Sequence, residues 1–103
     1  MILEAAILNI KQGQSAEFEK AFAQASPLVE ASHGYIRHEL RKCVETADRY
    51  LMLIQWETLE DHVVGFRQSP AFQEWKALTH HFYEPFPTVE HFTMVYEGQG
   101  QKA

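Results

Sequence analysis

Along this chain the spacing of apolar residues changes at each element boundary. Residues 2–10 place Ile2, Leu3, Ala5, Ala6, Ile7, Leu8 and Ile10 in an almost unbroken apolar run, the pattern of a strand covered on both faces. Lys11-Gln12-Gly13-Gln14 is a turn. Ser15 then offers a hydroxyl as helix cap, with Glu17 and Glu19 near the positive end of the helix. Phe18, Ala21, Phe22, Ala25, Leu28 and Val29 recur every three or four residues and form one helical stripe, which Pro27 should kink or end near Ser26. Gly34 suits a left-handed helix stop. Tyr35–Cys43 and Arg49–Trp56 are two strands around a short polar turn, hence a hairpin. Helical pieces follow over Leu59–Phe66 and from Pro70 to about Tyr83, the second with Ser69 as cap and Pro70 at its first position. Glu84-Pro85-Phe86-Pro87 stops it, and Thr88–Tyr96 is the last strand.

The order β-α-β-β-α-β predicts an α+β ferredoxin-like domain, a four-stranded antiparallel sheet with both helices on one face. Residues 1–97 form one domain, and 98–103 read as a flexible polar tail. In such a two-layer domain the uncovered sheet face should be polar. In the first and third strands it is apolar whichever parity faces the helices, so a homodimer joined sheet to sheet is expected.

A formal net charge of −5 argues against nucleic acid as a partner, because the one basic cluster, Arg37-His38-Glu39-Leu40-Arg41-Lys42, contains an acid and reads as a solvated strand face. No apolar run is long enough to span a bilayer, so no membrane partner is expected. Met1-Ile2-Leu3-Glu4 lacks the basic start of a signal peptide, and the single Cys43 suits a reducing compartment. A cytoplasmic location is expected.

Residues 56–81 gather two tryptophans, two phenylalanines and three histidines. Such a neighbourhood is either the roof of a ligand pocket or an ordinary aromatic core. His62 lies four residues before Phe66 and shares its helix face; a buried structural histidine is the plainer reading and a ligand contact the sharper one. Adjacent on a helix, His80 and His81 point about 100° apart and cannot readily chelate one metal, though one of them reaches the rim of a pocket on the sharper reading. His38 alternates with Ile36 and Leu40 and faces an apolar layer. His91 is expected at the dimer contact or sheet edge. None of the six histidines has the spacing of a metal site, and Cys43 has no nearby base in sequence. Tyr50 and Tyr83 either orient a phenolic ligand or serve structure alone.

The chain resembles the antibiotic-biosynthesis-monooxygenase-like family of small dimeric α+β barrels. The carriers are Lys11-Gln12-Gly13 before the Phe18/Phe22 helix, Gly34-Tyr35 before His38-Glu39-Leu40, Arg49-Tyr50 leading into Gln55-Trp56-Glu57, Ser69-Pro70-Ala71-Phe72, and Val89-Glu90-His91-Phe92. It covers roughly residues 2–96. The resemblance implies a cavity between sheet and helices, lined by Trp56 among others. It also implies one of several activities: cofactor-free oxidation of phenols or quinols, haem degradation, or none demonstrated. Haem-degrading relatives carry an Asn, a Trp and a His where this chain has Ala6, Phe66 and Lys76. Some quinol-oxidising relatives carry a His at the position of Phe66. Haem degradation is therefore not expected, and a phenol oxidase built on this chain needs another base.

Two functions remain. The first is a monooxygenase without metal or organic cofactor that oxidises a small aromatic, phenol- or quinol-like compound with O2. Met52, Trp56, Phe66, Phe72, Trp75 and Tyr83 would wall its pocket, and His62 or His81 would accept the proton. The second is a non-catalytic dimeric barrel that binds a small apolar ligand or acts in stress response or scaffolding.

Overall fold

Alternation along β1 (Ile2–Asn9) decides how the molecule is layered. In the computed structural model, which describes residues 1–101, Glu4, Ala6 and Leu8 are buried beneath the helices. Leu3, Ala5 and Ile7 point to the other face. β3 (Arg49–Trp56) runs antiparallel beside β1 with Ala6 opposite Met52 and Leu8 opposite Tyr50, so Tyr50, Met52, Ile54 and Trp56 join the covered face. β2 (Tyr35–Lys42) pairs with the far side of β3 and β4 (Val89–Phe92) with the far side of β1, giving the order β2-β3-β1-β4. This is the expected ferredoxin-like sheet. Of the expected tail, Lys102 and Ala103 lie outside the described residues.

α1 (Ser15–Glu30) buries Phe18, Phe22, Ala25 and Val29 against that sheet. One expectation about it fails. Ser15 is not the cap: Gln14 holds that position, and the Ser15 hydroxyl donates to Asp48 Oδ1 at 2.5 Å. Asp48 adopts a positive φ of 58° in the β2–β3 turn, and its other carboxylate oxygen accepts from the Gly13 amide at 3.3 Å. Of the two outcomes expected at Pro27, a kink or an end, the end does not occur. Pro27 costs the helix one amide donor, but Val29 beyond it is fully buried, and that burial favours continuing the turn. Ser26 Oγ donates back to the Phe22 carbonyl.

The expected Leu59–Phe66 helix forms, but over Asp61–Phe66 it is a π-helix. Arg67 N–H reaches back five residues to the His62 carbonyl at 2.9 Å, and the wide turn leaves both His62 and Phe66 buried. Gly34, at φ +81°, lies directly beneath this segment. A Cβ there would meet Asp61 Oδ2 at 2.1 Å, so the left-handed stop is also a site of close approach.

α2 (Pro70–Thr79) starts as predicted, with Ser69 Oγ accepting from the Phe72 amide at 3.3 Å. It ends earlier than predicted. His80–Phe82 tighten into a 3-10 turn, and the next residues are tied to the end of β1 through Lys11 N–H to Phe82 O and Glu84 N–H to Asn9 O.

The uncovered sheet face carries Leu3, Ala5 and Ile7 beside Leu51 and Leu53. On β2 the same face is charged, with Arg37 and Arg41 both paired to Glu39. β4 is shorter than the Thr88–Tyr96 expected. Leu3 pairs with Phe92, and beyond that the register leaves only Met1 and Ile2 opposite. Met94, Val95 and Tyr96 continue unpaired and mostly exposed. Among the described residues no helix is long and apolar enough to cross a membrane.

Candidate functional site

Between the covered sheet face and α2 lies a cavity of about 490 Å³. Ala6, Leu8 and Met52 make its floor, and Phe72 and Trp75 of α2 make one wall. His80, Tyr83, Phe86 and Pro87, from the segment joining α2 to β4, make another. Glu4 and His62 lie at its buried end, whereas Arg67 and Lys76 are exposed and mark its mouth. The volume and the apolar lining with few polar groups are those of a small-molecule site.

The chemistry sits at the buried end. Glu4 is only 4% exposed, yet its neighbours on the strand are alanines and aliphatics. Trp56 Nε1–H donates to its Oε1 at 2.9 Å, and His62 Nε2 lies 3.3 Å from the same oxygen. The other ring nitrogen of His62, Nδ1, is 2.8 Å from His91 Nε2. The Trp56 indole stacks on the His62 imidazole, with centroids 5.3 Å apart and 17° between planes. Burial lifts the Glu4 carboxyl to about 7, against the opposing pull of the Trp56 N–H and the Arg67 charge. Burial likewise lowers His62 to about 3, helped by the charges of Arg67 and His91. His62 is therefore neutral near pH 7. As a neutral ring it has one N–H donor and one acceptor nitrogen, and Nδ1 is the one that meets His91.

On the opposite wall, burial pushes the Tyr83 phenol up to about 12, so it remains a donor. His80 packs against Phe72, Tyr83 and Phe86 and is lowered to about 4 by burial and then by Lys76.

Of the residues singled out from sequence, Met52, Phe72, Trp75, Tyr83 and His62 line this cavity. Trp56 and Phe66 are packed behind it, in ring contact with each other 5.9 Å apart. His81 stands outside: it is exposed, with its ring against Phe82. The 3-10 turn after Thr79 leaves His80, not His81, on the cavity. His91 lies on β4, the edge strand of the sheet, as expected. It shares the covered face with Glu4, its partner in register. His38 is half-buried between Tyr35 Oη and Ser26 Oγ, a satisfied structural histidine. Glu4 was missed altogether. Its signal was available, as the one charged residue inside the apolar run 2–10.

The sheet order and the two helices on one face define a ferredoxin-like α+β domain with a carboxyl-bearing cavity under its helices. The chain belongs to the antibiotic biosynthesis monooxygenase family, whose model matches residues 1–78. It is 60% identical over 92 residues to the uncharacterized protein YczJ of Bacillus subtilis, covering 89% of this chain and 97% of that one. A Bordetella bronchiseptica protein carrying the same family description is 37% identical, with 92% and 97% of the two chains covered and a TM-score of 0.88. SnoaB, a cofactor-independent oxygenase from Streptomyces nogalater, is 20% identical over 95% of this chain and 94% of its own, with a TM-score of 0.68. That likeness shows the fold alone.

Proposed function

We propose that the protein is a cofactor-independent monooxygenase of a small phenol- or quinol-like aromatic, with Glu4 as its general base. The observation that carries this reading is a carboxyl buried in an apolar cavity and raised to about 7, where half of it is ionised at neutral pH. His62, the base expected from sequence, is too weakly basic when held near 3; its role is to face Glu4 through Nε2 and fix the carboxylate. His81 has no part in this mechanism.

A phenolic ring enters between Phe72, Trp75 and Met52, with its hydroxyl toward Glu4. Glu4 removes the phenolic proton, and the electron-rich phenolate passes one electron to O2. Superoxide and the substrate radical combine at the ring carbon para to the oxygen. The protonated Glu4 returns a proton to the resulting peroxide, and loss of water leaves a carbonyl. One oxygen atom ends in the quinone and the other in water, so the substrate supplies all the electrons and no external reductant is needed. The apolar walls exclude bulk water from the radical pair.

The test is oxygen uptake by metal-stripped protein with a panel of polycyclic phenols and quinols, followed by 18O2 labelling of the product. Uptake that survives chelation, with one labelled oxygen in the quinone, is expected. No uptake above autoxidation would leave the non-catalytic ligand-binding reading in its place.

The open face fits a second copy of this chain. Ile7 opposite Leu51, with Leu3, Ala5 and Leu53 around them, forms an apolar patch of the kind monomers rarely expose. We expect Ile7→Asp to convert a dimer to monomer, read by light scattering after gel filtration; an unchanged mass would exclude this face. A cytoplasmic location accords with the free thiol of Cys43.

A further inference from the structure

The mouth of the cavity differs in charge from the rest of the chain. The protein as a whole carries −5, yet the exposed residues lining this opening include Arg67 and Lys76. On β2, by contrast, Arg37 and Arg41 pair with Glu39, and Lys42 with Glu19. Neither Arg67 nor Lys76 lies within ion-pair distance of a carboxylate among the described residues. The one carboxyl lining the cavity is Glu4, which is buried and feels the Arg67 charge. A ligand filling the cavity would therefore meet a buried proton acceptor and two positive charges nearer to solvent.

We propose that the aromatic compound bound here bears a ring carboxylate, which Arg67 and Lys76 hold at the mouth while the hydroxyl at its other end reaches Glu4. This rests on the reading of the cavity as the substrate site. Arg67 presents a planar fork that matches a carboxylate with two parallel bonds, and Lys76 adds a compact charge from the facing helix. A phosphate fits less well. Phosphate sites commonly use free amides at a helix N-terminus, and at α2 the Phe72 amide is already taken by Ser69 Oγ. The cavity has room for a fused two-ring compound.

Binding separates this inference from the reaction. The probes are 2-naphthol and 6-hydroxy-2-naphthoate, which share rings and hydroxyl and differ in the carboxylate. Both are titrated by calorimetry and by fluorescence of Trp75 in the cavity wall. Wild-type protein is expected to bind the carboxylated probe about 10- to 100-fold more tightly, the yield of one or two charge-assisted hydrogen bonds. That preference should shrink in high salt and vanish in the double variant Arg67→Gln, Lys76→Gln, whose exposed positions leave the fold intact. Equal binding of the two probes by wild type, or a preference that survives in the double variant, would overturn the inference and leave the cavity as a site for neutral aromatics. Binding of neither probe would overturn the inference and the cavity reading together.

Discussion

Glu4→Gln is expected to lower oxygen uptake by about 10²- to 10⁴-fold, the usual contribution of a positioned general base. The amide keeps the shape of the side chain and an oxygen for the Trp56 N–H, so the cavity should persist while the proton acceptor is lost. In wild type the rate should rise with pH through about 7 as Glu4 ionises, and the variant should lack that limb.

Stability supplies an independent check. The folded-state pKa of Glu4 is raised from 4.5, so the native state holds a proton that the unfolded chain releases as pH climbs above 4.5. The resulting penalty on the fold grows between pH 4.5 and 7 and is complete above 7, where it amounts to about 3 kcal/mol. The lowered pKa of His62 acts in the opposite sense between pH 3 and 6.5; burial, its largest cause, is the same in both proteins and cancels in their difference. Urea denaturation should therefore show Glu4→Gln gaining stability over wild type from pH 4.5 to pH 8. A stability difference that ignores pH would mean that Glu4 is an ordinary solvated acid, and a rate that survives the substitution would remove it as the base.

Trp56 gives the second large effect, and two substitutions divide its roles. The indole is fully buried, stacks on His62 and donates to Glu4. Trp56→Ala should cost about 3–5 kcal/mol, a large part of the 5–15 kcal/mol that holds a typical domain together. Trp56→Phe keeps a ring over His62 but removes the N–H that holds the Glu4 carboxyl down. The rising limb of the rate profile should then move to higher pH by about one unit, with a smaller loss of stability. Denaturation curves and pH–rate profiles of both variants read the two effects separately. A Phe variant with the wild-type profile would show that the indole only fills space.

The periodicities that define α1, α2 and the β2–β3 hairpin were legible because each has one dominant apolar face or a clear turn. The orientation of the sheet was not, since β1 and β3 are apolar on both sides and neither fixes which parity lies under the helices. β2 contains the answer: Arg37, Glu39 and Arg41 alternate with His38 and Leu40, which sets the charged row outward. Carried through the register from β2 to β3 to β1, that row puts Glu4 inward with Trp56 and Met52. The histidine contacts depended on geometry that spacing does not encode. The π-turn at Asp61–Phe66 leaves His62 buried beside Glu4, and the 3-10 turn after Thr79 exchanges His81 for His80 at the cavity.

The cavity's parts come from different stretches of chain. Glu4, Met52 and the floor belong to central strands whose other face is also apolar, so changes there disturb two surfaces at once. Tyr83, Phe86 and Pro87 come from a short connection anchored at its start to Asn9 and Lys11. That wall of the cavity is thus separable from its floor. A library confined to residues 83–87 would reshape that wall while Glu4 and the sheet stay as they are, a modular route to differently shaped cavities within one inherited scaffold.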